Sequence, residues 1–414
     1  MSSKQVPQSC PFHPQDPNFN ANPFPVLKEL REAGPVVYWE EGQSWLVTSH
    51  EDVIKVFRDN DLFSTNFMNW EHIASMMGAS SNPVMEEIML DNMMMLPTKE
   101  HGRIRRLVRP AFTPRAVEKL APTVQKIVDE MLEEAEKSDS FELVSQFAEP
   151  IPARVMSAIL KIPEEARETF NRFTLALLMS YGQGDYSEEE KQKAIQHSEE
   201  GLDLIRDLIE ARRKNLQEDD LLSILIENEE KGERLNTKEL VSMVAGLIAG
   251  GFETTVSLIT FVTWHILQRP ELKARIDSDP SVLLQTIEEV LRFDHFTKMG
   301  VYRYATQDTE LGGVEIKKGQ RLVVLINSAL RDESVFTNPD TFDLERDRSA
   351  SVAFGYGVHF CLGAHLARLE VRIAVGTLLK RFPNISVVQP PVFGFSPVVR
   401  KVDTLQLKLH HHDA

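Results

Sequence analysis

Phe354-Gly355-Tyr356-Gly357-Val358-His359-Phe360-Cys361-Leu362-Gly363 is the stretch on which the reading of this chain turns. Two glycines permit a tight loop whose backbone can come close to a flat ligand. A cysteine follows, just ahead of a helical pattern that starts near Ala364. A helix N-terminus favours negative charge, and so favours a thiolate over a thiol. The competing reading of Cys361 is a small residue that only packs. The string around it argues for a ligand.

Outward from this loop the texture changes in both directions. Gly363 to Arg381 reads as a helix, and the tail after Phe382 as strand and loop. Upstream, VYRYATQ (301–307), TELGGVEI (309–316) and QRLVVLI (320–326) read as short strands, with Gly312-Gly313 as a hairpin turn. Further back, helical periodicity dominates. Ala116 to Lys137 repeats apolar residues at spacings of three and four, as does Ser187 to Asn215. Near the start, Pro25 to Ala33 reads as a short helix. Val36–Tyr38 and Trp45–Val47 around Glu41-Gly42-Gln43 read as a β-hairpin.

The longest helix predicted runs from Asn236 to Gln268. Asn236 caps it, and Glu239 stands at capping-box spacing. Its sequence from 241, VSMVAGLIAGGFETTVSLITFVTWHIL, is almost wholly apolar, which marks a helix buried on all sides. Gly250-Gly251-Phe252-Glu253-Thr254-Thr255 interrupts it. Each glycine costs a helix roughly 1 kcal/mol relative to alanine. That cost is explicable where the helix opens or a ligand meets its backbone. An acid followed by a hydroxyl at that opening can relay protons. A helix–helix packing notch is the bland alternative.

Two further patterns stand between these landmarks. Glu289-Val290-Leu291-Arg292 places an acid and a base at i, i+3 on one helix face. Between His101 and Arg115 lie Arg103, Arg105, Arg106, Arg109 and Arg115 with no acid among them, a basic patch on an acidic protein. The chain has 414 residues, 42% hydrophobic and 26% charged, with formal net charge −16. That charge argues against nucleic acid or an anionic membrane as partner. The two cysteines, Cys10 and Cys361, imply no disulfide framework and fit a reducing cytoplasm. The polar, Pro-rich N-terminus is no signal peptide, and no window approaches the ~20 apolar residues of a membrane helix. His410-His411-His412, whether natural or a tag remnant, carries no information about activity.

In order and spacing these motifs resemble those of the cytochrome P450 family, from about Asn22 to Leu409. The Cys361 string matches F-x-x-G-x-x-x-C-x-G at every fixed position, and Gly250–Thr254 matches [AG]-G-x-[DE]-T. The resemblance implies a mainly α fold with a minor antiparallel β portion. It implies one domain over residues 23–414, preceded by an irregular arm over 1–22. Haem b would lie between the central helix and the cysteine loop. Cys361 would be the iron ligand, with Phe354, Gly355 and Gly363 shaping its loop. His101, Arg105, Arg303 and His359 would meet the propionates. Thr254 would hold the dioxygen hydrogen-bond network, and Glu253 would help deliver protons. Arg346 would complete a structural ion network with Glu289 and Arg292.

The activity implied is that of a haem-thiolate monooxygenase. Electrons would come from a separate ferredoxin or flavodoxin docking near the 101–115 patch. Substrate-contacting segments of the family map to four places. Phe67, Met68, Met94 and Leu96 precede His101. Val244, Leu247, Ile248 and Gly251 lie on the central helix. Phe296, Met299 and Val301 follow Arg292, and Val398 and Val399 stand in the late loop. This apolar, Met-rich lining suits a bulky lipophile. Asp294, His295 and Lys298, where many relatives carry a proline nearby, add polar recognition of undefined orientation. The stretches LRFD, SALRD, ARLE, AVGT and PVFG most resemble members that tailor macrolides and related polyketides. That leaves open hydroxylation or epoxidation, a steroid, terpenoid or fatty-acid substrate, and a non-catalytic haem-binding role.

Overall fold

The computed structural model of the protein describes residues 10–73, 84, 88, 91–181, 187–218, 220–228, 233–396 and 398–409. The histidine run at 410–412 lies outside them. Helices form most of the chain, and the centre of the fold is the helix Thr237–Leu267. Its capping box closes as expected. The Asn236 side chain accepts from the Glu239 N–H at 3.0 Å, and the Glu239 carboxylate accepts from the Asn236 N–H at 2.9 Å. These two bonds satisfy donors that a helix start leaves without an intrahelical partner.

This helix departs from one expectation. It is long and apolar enough, by composition, to cross a membrane. Its apolar sides are covered instead by Pro150–Ile159, Arg167–Tyr181, Glu188–Lys214, Val282–Phe293 and Ala364–Arg381, all of which pack on it. The main hydrophobic core therefore lies around it, with Leu240, Ile259, Val262 and Ile266 fully buried.

A second difference concerns Ala116–Lys137. The chain forms two helices there, Pro114–Glu118 and Ala121–Ala135. Pro122 is the reason. Proline lacks the N–H of a helix interior and is tolerated only in a first turn, so the helix restarts just before it. The apolar stripe Val124, Ile127, Val128, Met131 and Leu132 survives the break and is buried.

The strands are β1 (Val36–Trp39), β2 (Ser44–Val47), β3 (Phe63–Ser64), β4 (Ser140–Glu142), β5 (Val301–Ala305), β6 (Thr309–Leu311), β7 (Val314–Ile316), β8 (Arg321–Val324), β9 (Ser386–Val387), β10 (Val392–Phe393), β11 (Val402–Thr404) and β12 (Gln406–Lys408). The largest sheet has the order β1-β2-β8-β5-β3. Its pairings are antiparallel except β2–β8, which is parallel. β6 and β7 form the Gly312-Gly313 hairpin, where both glycines have positive φ.

The N-terminal arm is less irregular than its composition implies. Asp16 caps a short helix, Pro17–Ala21. Phe12 and Phe19 are buried, edge-on to each other at 5.3 Å, and Phe12 meets Trp39 at 5.0 Å. Two aromatic rings spaced seven apart in a polar sequence supply the anchor that ties this stretch to the sheet.

Candidate active site

The cysteine loop makes its shape locally. Gly355 and Gly357 have φ of +74° and +71°, where a side chain is strained. A Cβ on Gly357 would also lie 2.9 Å from the Phe57 carbonyl oxygen. The turn is closed by the Cys361 N–H, which donates to the Phe354 carbonyl at 2.8 Å, and by the Gly355 N–H to Val352 at 2.8 Å. Arg368, held by Glu288 at 3.0 Å, stacks over the Phe354 ring at 4.3 Å. Cys361 is accessible, although densely surrounded by protein. Burial raises its thiol above the ordinary value. The backbone N–H of Gly363, the charges of Arg105 and Arg368 and the N–H of Ala364 act in the opposite sense. A cation at the sulfur would act in that same lowering direction.

Beside the loop, four cationic or imidazole side chains converge. The rings of His101 and His359 stand 3.9 Å apart. His101 is completely buried, and neither ring nitrogen has a partner; His359 Nδ1 and Arg303 Nε are equally unpartnered. Arg105 donates to the Phe360 carbonyl, and Arg303 to that of Tyr302 at 2.8 Å. Burial, then Arg105 and Arg303, pushes His101 down to about 4. Burial pushes Arg303 down to about 10, with Tyr304 opposing. Among the described residues no carboxylate pairs with any of the four. Orphaned donors packed against each other are costly unless an acceptor joins them. Two adjacent carboxylates satisfy this cluster, which is what haem propionates offer.

The central helix turns one narrow face to open space. A Cβ on Gly250 would meet nothing within 4 Å, and the same holds for Gly363. Bare backbone at each position leaves room for a flat ligand to approach closely. The Thr254 hydroxyl donates to the Gly250 carbonyl at 2.6 Å. Its oxygen keeps lone pairs to accept a further bond. Gly246, Leu247, Gly250 and Thr254 share this face by helical spacing.

That geometry corrects the sequence-based lining. Val244 and Ile248 are buried in the core, and Gly251 looks toward Met156 at 3.8 Å. They sit about 100° or more round the helix from Gly250. Leu247 is on the open face, and Gly250, read from sequence as a place where a ligand could meet the helix backbone but not counted among the substrate-lining residues, is central to it. The signal was available in the i, i+4 spacing from Thr254. In the other segments Met94 and Val398 are exposed and Leu96, Met299 and Val301 half-buried. Phe67, Phe296 and Val399 are buried, while Met68 is exposed.

The three polar residues after Arg292 separate into distinct roles. Asp294 pairs with Arg400 and with His265 at 2.8 Å. Burial alone would raise its carboxyl; Arg400 and His265 outweigh that and hold it well below the ordinary range. His295 binds the Ala353 carbonyl at 3.0 Å. Both are structural. Lys298 is fully buried with no partner on Nζ. Glu253 lies 3.3 Å from the Ser396 hydroxyl, and burial raises its carboxyl above the ordinary value.

The ion network behind the cysteine loop is larger than a triad. Glu289 and Arg292 are both fully buried and 2.7 Å apart. Arg346 lies 3.7 Å and Arg348 3.9 Å from Glu289, which also accepts from the Asp343 N–H at 2.9 Å. Arg292 donates to the carbonyls of Leu330, Pro339 and Thr341. The 101–115 patch is thinner than its sequence. Arg103 is tied to Glu239, Arg106 stands 4.0 Å from Glu233, and Arg105 turns inward. Arg109 and Arg115 remain exposed.

Comparison with known proteins agrees with this geometry. The family model described as cytochrome P450 matches residues 18–408. The epothilone C/D epoxidase of Sorangium cellulosum is 41% identical over 400 residues, covering 96% of this chain and 95% of that one. The polyketide biosynthesis cytochrome P450 PksS of Bacillus subtilis is 36% identical over 388 residues, covering 92% and 93%. The crystal structure of epothilone D-bound cytochrome P450epoK superposes with a TM-score of 0.90 at 40% identity, covering 96% of this chain and 98% of that one.

Proposed function

This chain belongs to the cytochrome P450 family and is a haem-containing monooxygenase, and from that premise we propose that it oxidises a bulky macrolide or related polyketide by hydroxylation or epoxidation. The observation that carries the reading is the pairing of an accessible Cys361 with a bare helix face at Gly250, beside a cluster in which His101, Arg303 and His359 keep buried ring or guanidinium nitrogens without a partner.

Haem bound here supplies the oxygen-activating iron, and a thiolate ligand favours O–O cleavage. Cys361 would hold the iron through its sulfur, oriented by the Phe354 carbonyl and the N–H groups of Gly363 and Ala364. His101, Arg105, Arg303 and His359 would bind the propionates. Thr254 would present its hydroxyl to the oxygen site, and Glu253 would return protons to it. The lipophilic substrate would lie against Leu247 and Gly250, bounded by Met94, Leu96, Met299, Val301 and Val398. The similarity to the epothilone epoxidase supports a macrolactone-sized ligand. Electrons would come from a ferredoxin or flavodoxin with its reductase in the cytoplasm. Arg109 and Arg115 give that acidic partner its complementary charge.

The test is optical. Reduced protein with carbon monoxide is expected to give the red-shifted thiolate band, and Cys361→Ala to lose it. Epothilone-type macrolactones titrated into the ferric protein are expected to drive a low- to high-spin change. No such change with any macrolactone, beside a clear one with fatty acids or steroids, would move the substrate assignment to those classes. Thr254→Ala is expected to keep the carbon monoxide band but spend reductant without matching product. A fully coupled variant would remove Thr254 from the proton path.

A further inference from the structure

Ser396 is buried, and its hydroxyl has three neighbours. It accepts from the backbone N–H of Val398 and of Val399, each at 3.2 Å, and lies 3.3 Å from Glu253 Oε2. A hydroxyl has two lone pairs and one proton. With both lone pairs facing backbone donors, the proton is left for the Glu253 carboxylate. The serine is thus oriented as a donor by its own loop.

Lys298, on the segment facing this loop, acts electrostatically on the same carboxylate. Its Nζ has no hydrogen-bond partner and lies 5.2 Å over the Phe395 ring. Burial pushes the ammonium down to about 8, and the only opposing influence of note is Glu253. The two segments are stitched together. The Lys298 N–H donates to the Val398 carbonyl at 2.9 Å, and Thr297 bridges to Val399. The other charged groups acting on Glu253 are Lys401 and Glu149, which pair with each other at 3.9 Å. Each of those two side chains is about one-third exposed, so water screens them. Lys298 has no such screening.

We propose that Ser396 and Lys298 are positioning residues for Glu253, the hydroxyl fixing its carboxylate and the buried ammonium favouring its charged form. This rests on the reading of Glu253 as the acid that serves Thr254. Stripped of water, Glu253 alone would hold its proton tightly and release it slowly. A donor and a cation beside it make the anion tolerable between one proton release and the next uptake. The wall that borders the substrate then also sets the pH range in which protons are delivered.

The test is an infrared titration of the haem-loaded protein, following the protonated-carboxyl band that Glu253→Gln removes. Lys298→Met is expected to move that titration upward by about one pH unit or more. Ser396→Ala is expected to move it upward by less, and Ser396→Thr to restore it. The pH at which product formation per reductant is half-maximal should shift in the same direction. The carbon monoxide band reports an intact cysteine site throughout. An unmoved carboxyl band in both Lys298→Met and Ser396→Ala, with Glu253→Gln uncoupled, overturns this inference alone. Full coupling in Glu253→Gln overturns the reading beneath it.

Discussion

Around Cys361 the chain makes its geometry within ten consecutive residues, whereas the wall at Lys298 is held by partners such as Asp294 and Arg400, 106 residues apart. The cysteine loop needs two positive-φ glycines, two backbone hydrogen bonds and a following helix. The wall needs the segment 297–299, the loop 394–400 and the central helix to meet. Local shape of the first kind is written as a motif. Assembled shape of the second kind is written as compatible surfaces, with no fixed spacing to read.

The comparison breaks most readily if the cysteine loop depends on distant support as strongly as the wall does. Its support is the Glu289 network, which pins 330–348, the segment feeding into the loop. Glu289→Ala would leave Arg292 charged, fully buried and without its carboxylate. That should cost about 3–5 kcal/mol. Urea unfolding followed by fluorescence measures it, and the yield of protein with a carbon monoxide band measures the consequence. A variant with a wild-type midpoint and full haem loading would make the loop self-sufficient.

The two halves also differ in how legible they were. Cys361, the Gly250–Thr254 interruption and the Glu289–Arg292 pair were all readable because each motif repeats a local physical need. The capping box at Asn236 was readable for the same reason. Val244, Ile248 and Gly251 fall off the open Gly250 face, and the nearly uniform apolar helix gives no hydrophobic stripe from which sequence could orient its faces. The break at Pro122 was missed because the apolar period carries across it. Ser396 was not picked out at all. Its significance comes from two backbone donors and a carboxylate 143 residues away, and no pattern of neighbours announces that. Lys298 was noticed but could not be separated from Asp294 and His295 until their partners were seen.

A smaller effect sharpens the cysteine side. Glu370 lies on the helix Ala364–Arg381 that starts beyond the loop, is buried, and has an unpartnered Oε2. Burial pushes its carboxyl up to about 8 from an unfolded value of 4.5. A group raised on folding stabilises fully below its unfolded value, and loses that contribution as pH rises toward the folded one. Glu370 therefore destabilises the fold progressively between about pH 4.5 and pH 8. Glu370→Gln keeps the shape and cannot ionise. Its melting temperature should match wild type near pH 4.5 and exceed it by roughly 5 °C near pH 8. A constant difference across that range would mean that the acid keeps its proton, or is hydrated, in the folded chain.

The smallest effect on the fold should come from the wall, and it discriminates best between the two regions. Val398 is 42% exposed, and its backbone, not its side chain, carries the bonds to Ser396 and Lys298. Val398→Ala should therefore change stability by no more than about 0.5 kcal/mol. The carbon monoxide band should be unchanged. Two methyl groups withdrawn from contact with a lipophile are worth about 1.5 kcal/mol, or roughly tenfold in affinity. The spin-state titration with a macrolactone should weaken by that order. If haem binding suffers as well, the wall and the cysteine loop are one cooperative unit and the contrast between them fails. If neither haem nor ligand affinity changes, the substrate lies elsewhere along the Leu247–Gly250 face and Val398 only borders the solvent.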